Sequence, residues 1–160
     1  MFEVQEDDLS SNETRELLAL HLAGMYSHSP AGNVFALDLT GLQSPEVTVW
    51  TARAGNRIAA VGALKMLSDR MAEVKSMRTH PDFLRRGAAA AILETIIDTA
   101  ADRGVERLSL ETGSGDAFEP ALTLYRRRGF VKGDAFGDYE ESEFNQFLHL
   151  KLQEADSRIR

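Results

Sequence analysis

Three consecutive β-rich segments, followed at once by an amphipathic helix, restrict the folds open to this chain. Two of the segments flank a turn at Gly55, which predicts a β-hairpin over residues 47–67. A short second turn leads to another strand at Met71–Thr79. Apolar residues then recur at helical spacing over residues 87–104, with acidic residues on the opposite face. Antiparallel strands with a helix able to cover them favour a mixed α/β fold.

The other segments extend this order along the whole chain. We predict a strand at 2–5, a helix at 10–26, loops around a brief helix at 27–45, a strand at 105–112, a helix at 119–129 and a last strand at 144–152. Ser10 and Glu13 resemble a capping box for the first long helix. No internal repeat is visible, so we expect one domain over residues 1–152 and a C-terminal tail at 153–160.

Composition narrows the possible functions. A chain of 160 residues with 43% hydrophobic content suits one globular domain. It has no apolar run long enough to span a bilayer and no signal-like N-terminus, so we expect a cytoplasmic protein without a membrane partner. It has no cysteine and no metal-ligand histidine spacing, so we expect no metal. A net charge of -7 argues against a nucleic-acid partner.

The junction at residues 84–89, where a basic pair leads through one glycine into alanines, is the first candidate site. Small side chains at Gly87, Ala88 and Ala89 let backbone N–H groups approach a phosphate, and a helix N-terminus adds partial positive charge. Arg85 and Arg86 can add charge-assisted contacts. A glycine followed by alanines also opens many ordinary helices, so both interpretations stay open at this point.

Two stretches, "HPDFLRRGAAAAIL" and "ETGSGDAFEPALTLYRRRGF", resemble the GNAT superfamily of acyl-CoA-dependent N-acetyltransferases. Shorter pieces such as "FEP" and "FGDY" resemble a subgroup of small bacterial members, some of which are labelled indole-acetic-acid acetyltransferases. The resemblance covers nearly the whole chain. It implies the GNAT fold, a central mixed and mostly antiparallel sheet of about six to seven strands flanked by about four helices. It also implies acetyl-CoA as co-substrate and a small-molecule amine as acceptor.

The resemblance also implies a set of residues that bind acetyl-CoA. The family's diphosphate motif falls on residues 84–89, although Leu84 replaces the usual Arg or Gln. Phe118 occupies the position of an Asn that often contacts the pantetheine arm. The residues carried over as cofactor-binding are Met77 and Thr79 through their backbone, Arg85, Arg86, Gly87, Ala88, Ala89, Phe118 and Tyr125.

Tyr125 lies in "ALTLYRRRGF", where the family places a tyrosine whose hydroxyl faces the thioester sulfur. A phenol with a pKa near 10 can hydrogen-bond or protonate a departing thiolate, so Tyr125 is the candidate general acid. The alternative is a tyrosine that only packs on the sheet beside neighbouring leucines.

The catalytic base has two candidates, Glu73 and Glu111. Glu73 stands eleven residues before Leu84, the spacing at which histone-acetylating members of the family place a catalytic glutamate. Strand alternation predicts that Glu73, Lys75, Met77 and Thr79 share one face and that Ser76 and Arg78 lie on the other, with Lys75 able to pair with Glu73. Glu111 ends the next strand beside a glycine loop. A surface ion pair for Glu73 and a local loop contact for Glu111 are the structural alternatives.

The predicted acceptor pocket collects polar residues from several elements: His28, Asp38, Glu73, Glu111 and Tyr139, beside Ser29 and Pro30. An acidic lining would suit a cationic amine. The predicted reaction is direct attack of the amine on acetyl-CoA in a ternary complex. Two other functions stay open, a non-catalytic acyl-CoA-binding module and a protein or peptide N-acetyltransferase. The apolar residues of "FNQFLHL" suggest a homodimer.

Overall fold

The computed structural model describes residues 1–152. Their helices and strands, in chain order, are β1 Glu3–Glu6, α1 Asn12–His28, α2 Leu39–Leu42, β2 Val47–Ala54, β3 Arg57–Met66, β4 Met71–Thr79, α3 Ala88–Asp102, β5 Arg107–Thr112, α4 Glu119–Arg128, β6 Val131–Gly133 and β7 Gln146–Lys151. The predicted mixed α/β fold is confirmed. The tail predicted at 153–160 lies outside the described residues.

One sheet of seven strands, counted over residues 1–152, holds the chain together in the order β1-β2-β3-β4-β5-β7-β6. Only the β4–β5 pair is parallel, and every other pair is antiparallel. The sheet is therefore mixed and mostly antiparallel, as predicted. Strand β6 was not predicted, because its three residues are all exposed and carry no hydrophobic period.

Helices cover the sheet on both faces. The larger apolar cluster joins α3 and α4 to one face, which we call the α3 face, through residues such as Ile92, Leu93, Leu108 and Leu122. The smaller cluster joins α1 and α2 to the opposite face, which we call the α1 face. Side chains that alternate along each central strand therefore enter two different layers.

Strand β4 changes its alternation at Ser76, and the sequence-based assignment of its faces is wrong beyond that residue. The register with β3 shifts there, and Ser76 has a left-handed φ of 58°. Arg78 consequently pairs with Val61 and reaches α1, on the same face as Glu73. Met77 instead packs into the α3 cluster. A β-bulge inserts one unpaired residue, so every later side chain changes face.

The β4–β5 junction opens at its carboxyl end. Parallel pairing joins Met71–Glu73 to residues 107–109 and stops there, although both strands continue. The bulge at Ser76 bends β4 immediately after this point. The two strands leave a gap between the α1 face and the α3 face, and the candidate site is built around that gap.

Candidate active site

The N-terminus of α3 lies at the exposed junction that the sequence singled out. Gly87 is the N-cap with a φ of 90°, and the first intrahelical bond is donated by Ala91 to the Gly87 carbonyl. The amides at the start of the helix therefore have no partner within it. A Cβ built on Gly87 would meet nothing within 4 Å. Open space, unpaired N–H groups and the helix dipole together suit an anion such as a diphosphate.

The two arginines before Gly87 are both exposed. Arg85 has a left-handed φ of 62°, which turns the chain sharply before the helix. The Arg86 guanidinium lies 5.8 Å from the centre of the Phe83 ring, and Arg57 lies 4.8 Å from the same centre. Among residues 1–152, neither Arg85 nor Arg86 is within ion-pair distance of a carboxylate, so both can meet a bound anion.

Tyr125 lies in the apolar cluster of the α3 face with 6% of its surface exposed. Its ring packs edge-on against Phe130 with 5.6 Å between the ring centres. No residue of 1–152 hydrogen-bonds to its hydroxyl. Burial raises the pKa of Tyr125 above its ordinary value of 10.0, so the side chain is a phenol at neutral pH. It can donate a proton or a hydrogen bond to a ligand.

Three other residues carried over as cofactor-binding lie on or near the same side of the sheet. Met77 packs among the α3 residues, and Thr79 pairs with Ala60 at the end of β4. Phe118 is buried and stacks on Phe144 with 5.4 Å between ring centres. Phe118 therefore offers an apolar surface where the family often offers an amide.

Glu73, Lys75 and Tyr139 form a closed hydrogen-bonded group on the α1 face. Lys75 Nζ donates to Glu73 Oε2 at 3.2 Å and to the Tyr139 hydroxyl at 2.8 Å. The Tyr139 hydroxyl in turn donates to Glu73 Oε2. The predicted Glu73–Lys75 pairing is confirmed, and it is buried, with only 4% of the Glu73 side chain and 8% of the Lys75 side chain exposed. It is not the surface pair that was the alternative.

Glu111 extends this group across the gap to β5. Glu111 pairs with Phe147 of β7. It lies two residues beyond Ser109, which pairs with Glu73. Burial raises the pKa of Glu111 from 4.5 to about 7; the positive charge of Lys75 opposes this effect and the negative charge of Glu73 adds to it. A carboxyl group with that pKa exchanges protons readily near neutral pH.

Aromatic rings surround Tyr139 and enclose the carboxylates. The rings in edge or tilted contact with it are Phe35, Phe136 and Phe147. Burial, followed by the charge of Glu73, raises the pKa of Tyr139, so it stays protonated. Sequence reasoning missed this apolar wall, because Phe35 lies far along the chain from Phe136 and Phe147.

The structure does not bring His28 and Asp38 into this group. His28 is exposed at the end of α1, and its Nδ1 lies 2.9 Å from the Gly24 carbonyl of the same helix. Asp38 is exposed and caps α2 by accepting from the Gly41 amide at 2.8 Å. Among residues 1–152, neither side chain hydrogen-bonds to Glu73, Glu111 or Tyr139.

Metal-binding clusters and membrane-spanning helices are both absent from residues 1–152. Within residues 1–152, no three acidic or histidine side chains lie close enough to hold a metal ion. None of the helices in this range combines the length and the apolar character needed to cross a bilayer.

Comparison with known proteins assigns the family. Residues 12–130 match the acetyltransferase (GNAT) family. The chain belongs to this family. It is 43% identical over 154 residues to an uncharacterized N-acetyltransferase, YedL, of Escherichia coli (strain K12), and the match covers 96% of this chain and 97% of that protein. The protein is therefore an acyltransferase of the GNAT type.

Solved structures agree on the fold. A candidate acyl-CoA N-acyltransferase from Klebsiella pneumoniae superposes with a TM-score of 0.81 at 22% identity, over 96% of this chain and 99% of that one. A GNAT family acetyltransferase from Elizabethkingia anophelis, solved with acetyl-CoA bound, gives a TM-score of 0.69 at 17% identity over 94% and 98% of the two chains. The predicted GNAT fold is thereby confirmed.

Proposed function

We propose that this enzyme transfers the acetyl group of acetyl-CoA to a small-molecule amine by direct attack within a ternary complex. The β4–β5 gap is the observation that carries the proposal. It separates an anion-binding helix terminus and a free phenol, on the α3 face, from a carboxyl group poised near neutral pH, on the α1 face. A donor and an acceptor can approach the gap from opposite sides and react there without a covalent enzyme intermediate.

The donor side fits the chemistry of acetyl-CoA. The unpaired amides of Ala88 and Ala89 and the open space at Gly87 suit its diphosphate, with Arg85 and Arg86 near enough in sequence to add charge. The acetyl-CoA bound to the Elizabethkingia relative supports this choice of donor. Backbone groups after the bulge on β4 are available for the pantetheine amides, because β5 no longer pairs with that part of β4.

Glu111 is the proposed base. An alkyl ammonium with a pKa near 10.4 cannot attack until it loses a proton. Glu73 already accepts hydrogen bonds from Lys75 and Tyr139, so it is less free to take that proton. Glu111 has a pKa of about 7, and among residues 1–152 no side chain hydrogen-bonds to its carboxyl group. Glu73 positions Lys75 and Tyr139 and tunes the charge around Glu111.

Tyr125 is the proposed acid. The neutral amine forms a bond to the acetyl carbonyl carbon, and the bond from that carbon to sulfur breaks. Glu111 passes the proton of the ammonium to solvent and then takes the second N–H proton, which bond formation makes acidic. The thiolate that leaves takes the Tyr125 proton, and the Tyr125 phenolate regains a proton from solvent, so one proton is released overall from the ammonium form. The products are the N-acetylated amine and free CoA.

Calorimetric titration with acetyl-CoA, compared among three variants, tests donor binding. We expect Gly87→Glu to weaken binding by about 100-fold or more, because it brings a carboxylate to the diphosphate position. Gly104→Glu is the matched control, since Gly104 has a similar φ of 83° and equally open space at the other end of α3. Gly87→Ala carries the same backbone strain as Gly87→Glu without its charge.

Transfer is measured separately, as release of the CoA thiol in the presence of primary amines. If Gly87→Glu binds acetyl-CoA as tightly as the wild type does, the assignment of the phosphate site is contradicted. Binding that Gly87→Glu abolishes, together with no thiol release from any amine, would favour the non-catalytic module. Thiol release with peptides but not with small amines would favour the protein N-acetyltransferase.

A further inference from the structure

Arg78 holds a partly buried positive charge on the α1 face without a carboxylate partner. Its Nε donates to Nδ1 of His21 at 3.0 Å, and one Nη donates to the His21 carbonyl at 3.4 Å. Among residues 1–152, no ion pair includes it. A guanidinium has about five N–H donors, so about three are left for other acceptors.

His21 orients this guanidinium but does not neutralise it. Burial, with the charges of Arg78 and Lys75, lowers the pKa of His21 to about 3, so the ring is uncharged at neutral pH. Its Nδ1 then accepts the bond from Arg78, and its proton resides on Nε2. The fixed geometry therefore presents a full positive charge with unused donors.

A second unsatisfied group lies two residues before Arg78 on β4. The Ser76 hydroxyl is buried and has no hydrogen-bond partner in the described chain. It stands on the bulge that turns Arg78 toward α1. An unpaired buried hydroxyl and a half-buried charge each cost free energy of folding unless a hydrogen-bond partner is supplied. A partner for the guanidinium must carry acceptor atoms.

The arginine is close to the proposed point of transfer. Arg78 lies three residues beyond Lys75 on β4, and Lys75 donates to Glu73. Val61 and Ala63 on β3 are the register partners of Arg78 and Lys75. Both belong to the apolar cluster of the α1 face, so Arg78 and Lys75 share that face. Arg78 and the carboxylates therefore line one side of the gap.

Charges on this face do not add up to the acidic lining that was predicted. Lys75 offsets Glu73, so Glu111 is the acidic group of this set that is left to balance Arg78. The set is therefore as basic as it is acidic. Such a face gives a simple cationic amine no net attraction, whereas a molecule that also carries an anion can pair with both charges.

We propose that Arg78 binds a carboxylate of the acceptor, so that the substrate is a small amino carboxylate, with its amine at Glu111 and its carboxylate on the guanidinium. The inference rests on the proposed acetyl transfer and specifies its acceptor. Planar guanidinium groups bind carboxylates through two parallel hydrogen bonds, which fixes orientation as well as affinity.

A panel of α-amino acids, each paired with its own carboxamide, tests this inference. Thiol release from acetyl-CoA gives kcat/KM for every member. We expect the best acid to exceed its carboxamide by about 10- to 100-fold, and Arg78→Gln to bring that ratio close to one. Arg78→Lys keeps the charge but loses the planar fork, so its ratio should fall in between. Arg103→Gln, which removes an exposed arginine bonded to Thr48, should keep the wild-type ratio.

The outcomes separate this inference from the function on which it rests. The inference is overturned if kcat/KM is equal for acids and carboxamides, or if Arg78→Gln still prefers the acid. Either result leaves the proposed acetyl transfer intact. The same follows if the wild type binds acetyl-CoA but releases no thiol with any amino acid. If the wild type fails to bind acetyl-CoA, the proposed function is refuted and the inference falls with it. Titration of each variant with acetyl-CoA shows whether it is folded.

Discussion

The turnover rate should increase with pH through a limb centred near pH 7, because Glu111 must be ionised to accept the proton of the amine. Its pKa of about 7 follows from burial, with opposing contributions from Lys75 and Glu73. At that pKa roughly 10% of the group is ionised at pH 6 and roughly 90% at pH 8, so kcat should rise about tenfold between them. An unperturbed glutamate would complete its limb below pH 6.

Two variants locate the group responsible for the limb. Glu111→Gln should remove it, together with most of the rate. Glu73→Gln should keep the limb and move it to lower pH, because the negative charge of Glu73 is one cause of the raised pKa of Glu111.

The assay is the initial rate of CoA thiol release at saturating acetyl-CoA and amine, in buffers of constant ionic strength. If Glu73→Gln abolishes the limb and Glu111→Gln retains it, the assignment of the base is wrong and Glu73 has that role. If the limb is the same in both variants, it belongs to the amine, and neither carboxylate is the base.

Further measurements on substituted proteins have defined outcomes. Tyr125→Phe should lower kcat by about 100-fold with little change in the Kd for acetyl-CoA, measured by rates and calorimetry, and an unchanged kcat would contradict its role as acid. Glu111→Gln should stabilise the protein at pH 8. The folded state holds the Glu111 proton more tightly than the unfolded state, so wild-type stability is lost as pH rises from 4.5 to about 7. That difference is worth about 2 to 3 kcal/mol after solvent screening, and urea unfolding at pH 4 should show no comparable gain. Ser76→Gly should stabilise by about 1 kcal/mol by relieving the left-handed φ, whereas Ser76→Ala keeps that strain; equal unfolding free energies for the two would refute the argument.

Periodicity predicted most of the fold, because the long elements carry apolar residues at regular spacing. The hairpin around Gly55 and the helix after Gly87 have the predicted order and neighbours. Details that depend on a single side chain were less predictable. The cap of α1 is Ser11, whose hydroxyl accepts from the Thr14 amide at 3.2 Å, and the predicted capping glutamate, Glu13, instead accepts from the Ile58 amide on β3.

Contacts between candidate site residues were predictable where the residues are close in sequence. Glu73 and Lys75 are two residues apart on one strand, so alternation was enough to pair them. It failed at Arg78, because the left-handed φ that shifts the alternation belongs to Ser76. A glycine at that position would have indicated such a backbone conformation, whereas a serine does not. The homodimer suggestion lost its basis as well, since Phe147 and Leu148 are buried in the chain's own core.

The bulge at Ser76 changes which positions of β4 face the proposed acceptor side. Before it, residues 73 and 75 face the acceptor side; after it, residue 78 does so, while its immediate neighbour Met77 belongs to the helical layer on the other side. Adjacent positions can therefore change independently during evolution. Acceptor preference can diversify at positions 73, 75 and 78 while the packing beneath α3, and with it the donor site, stays constant.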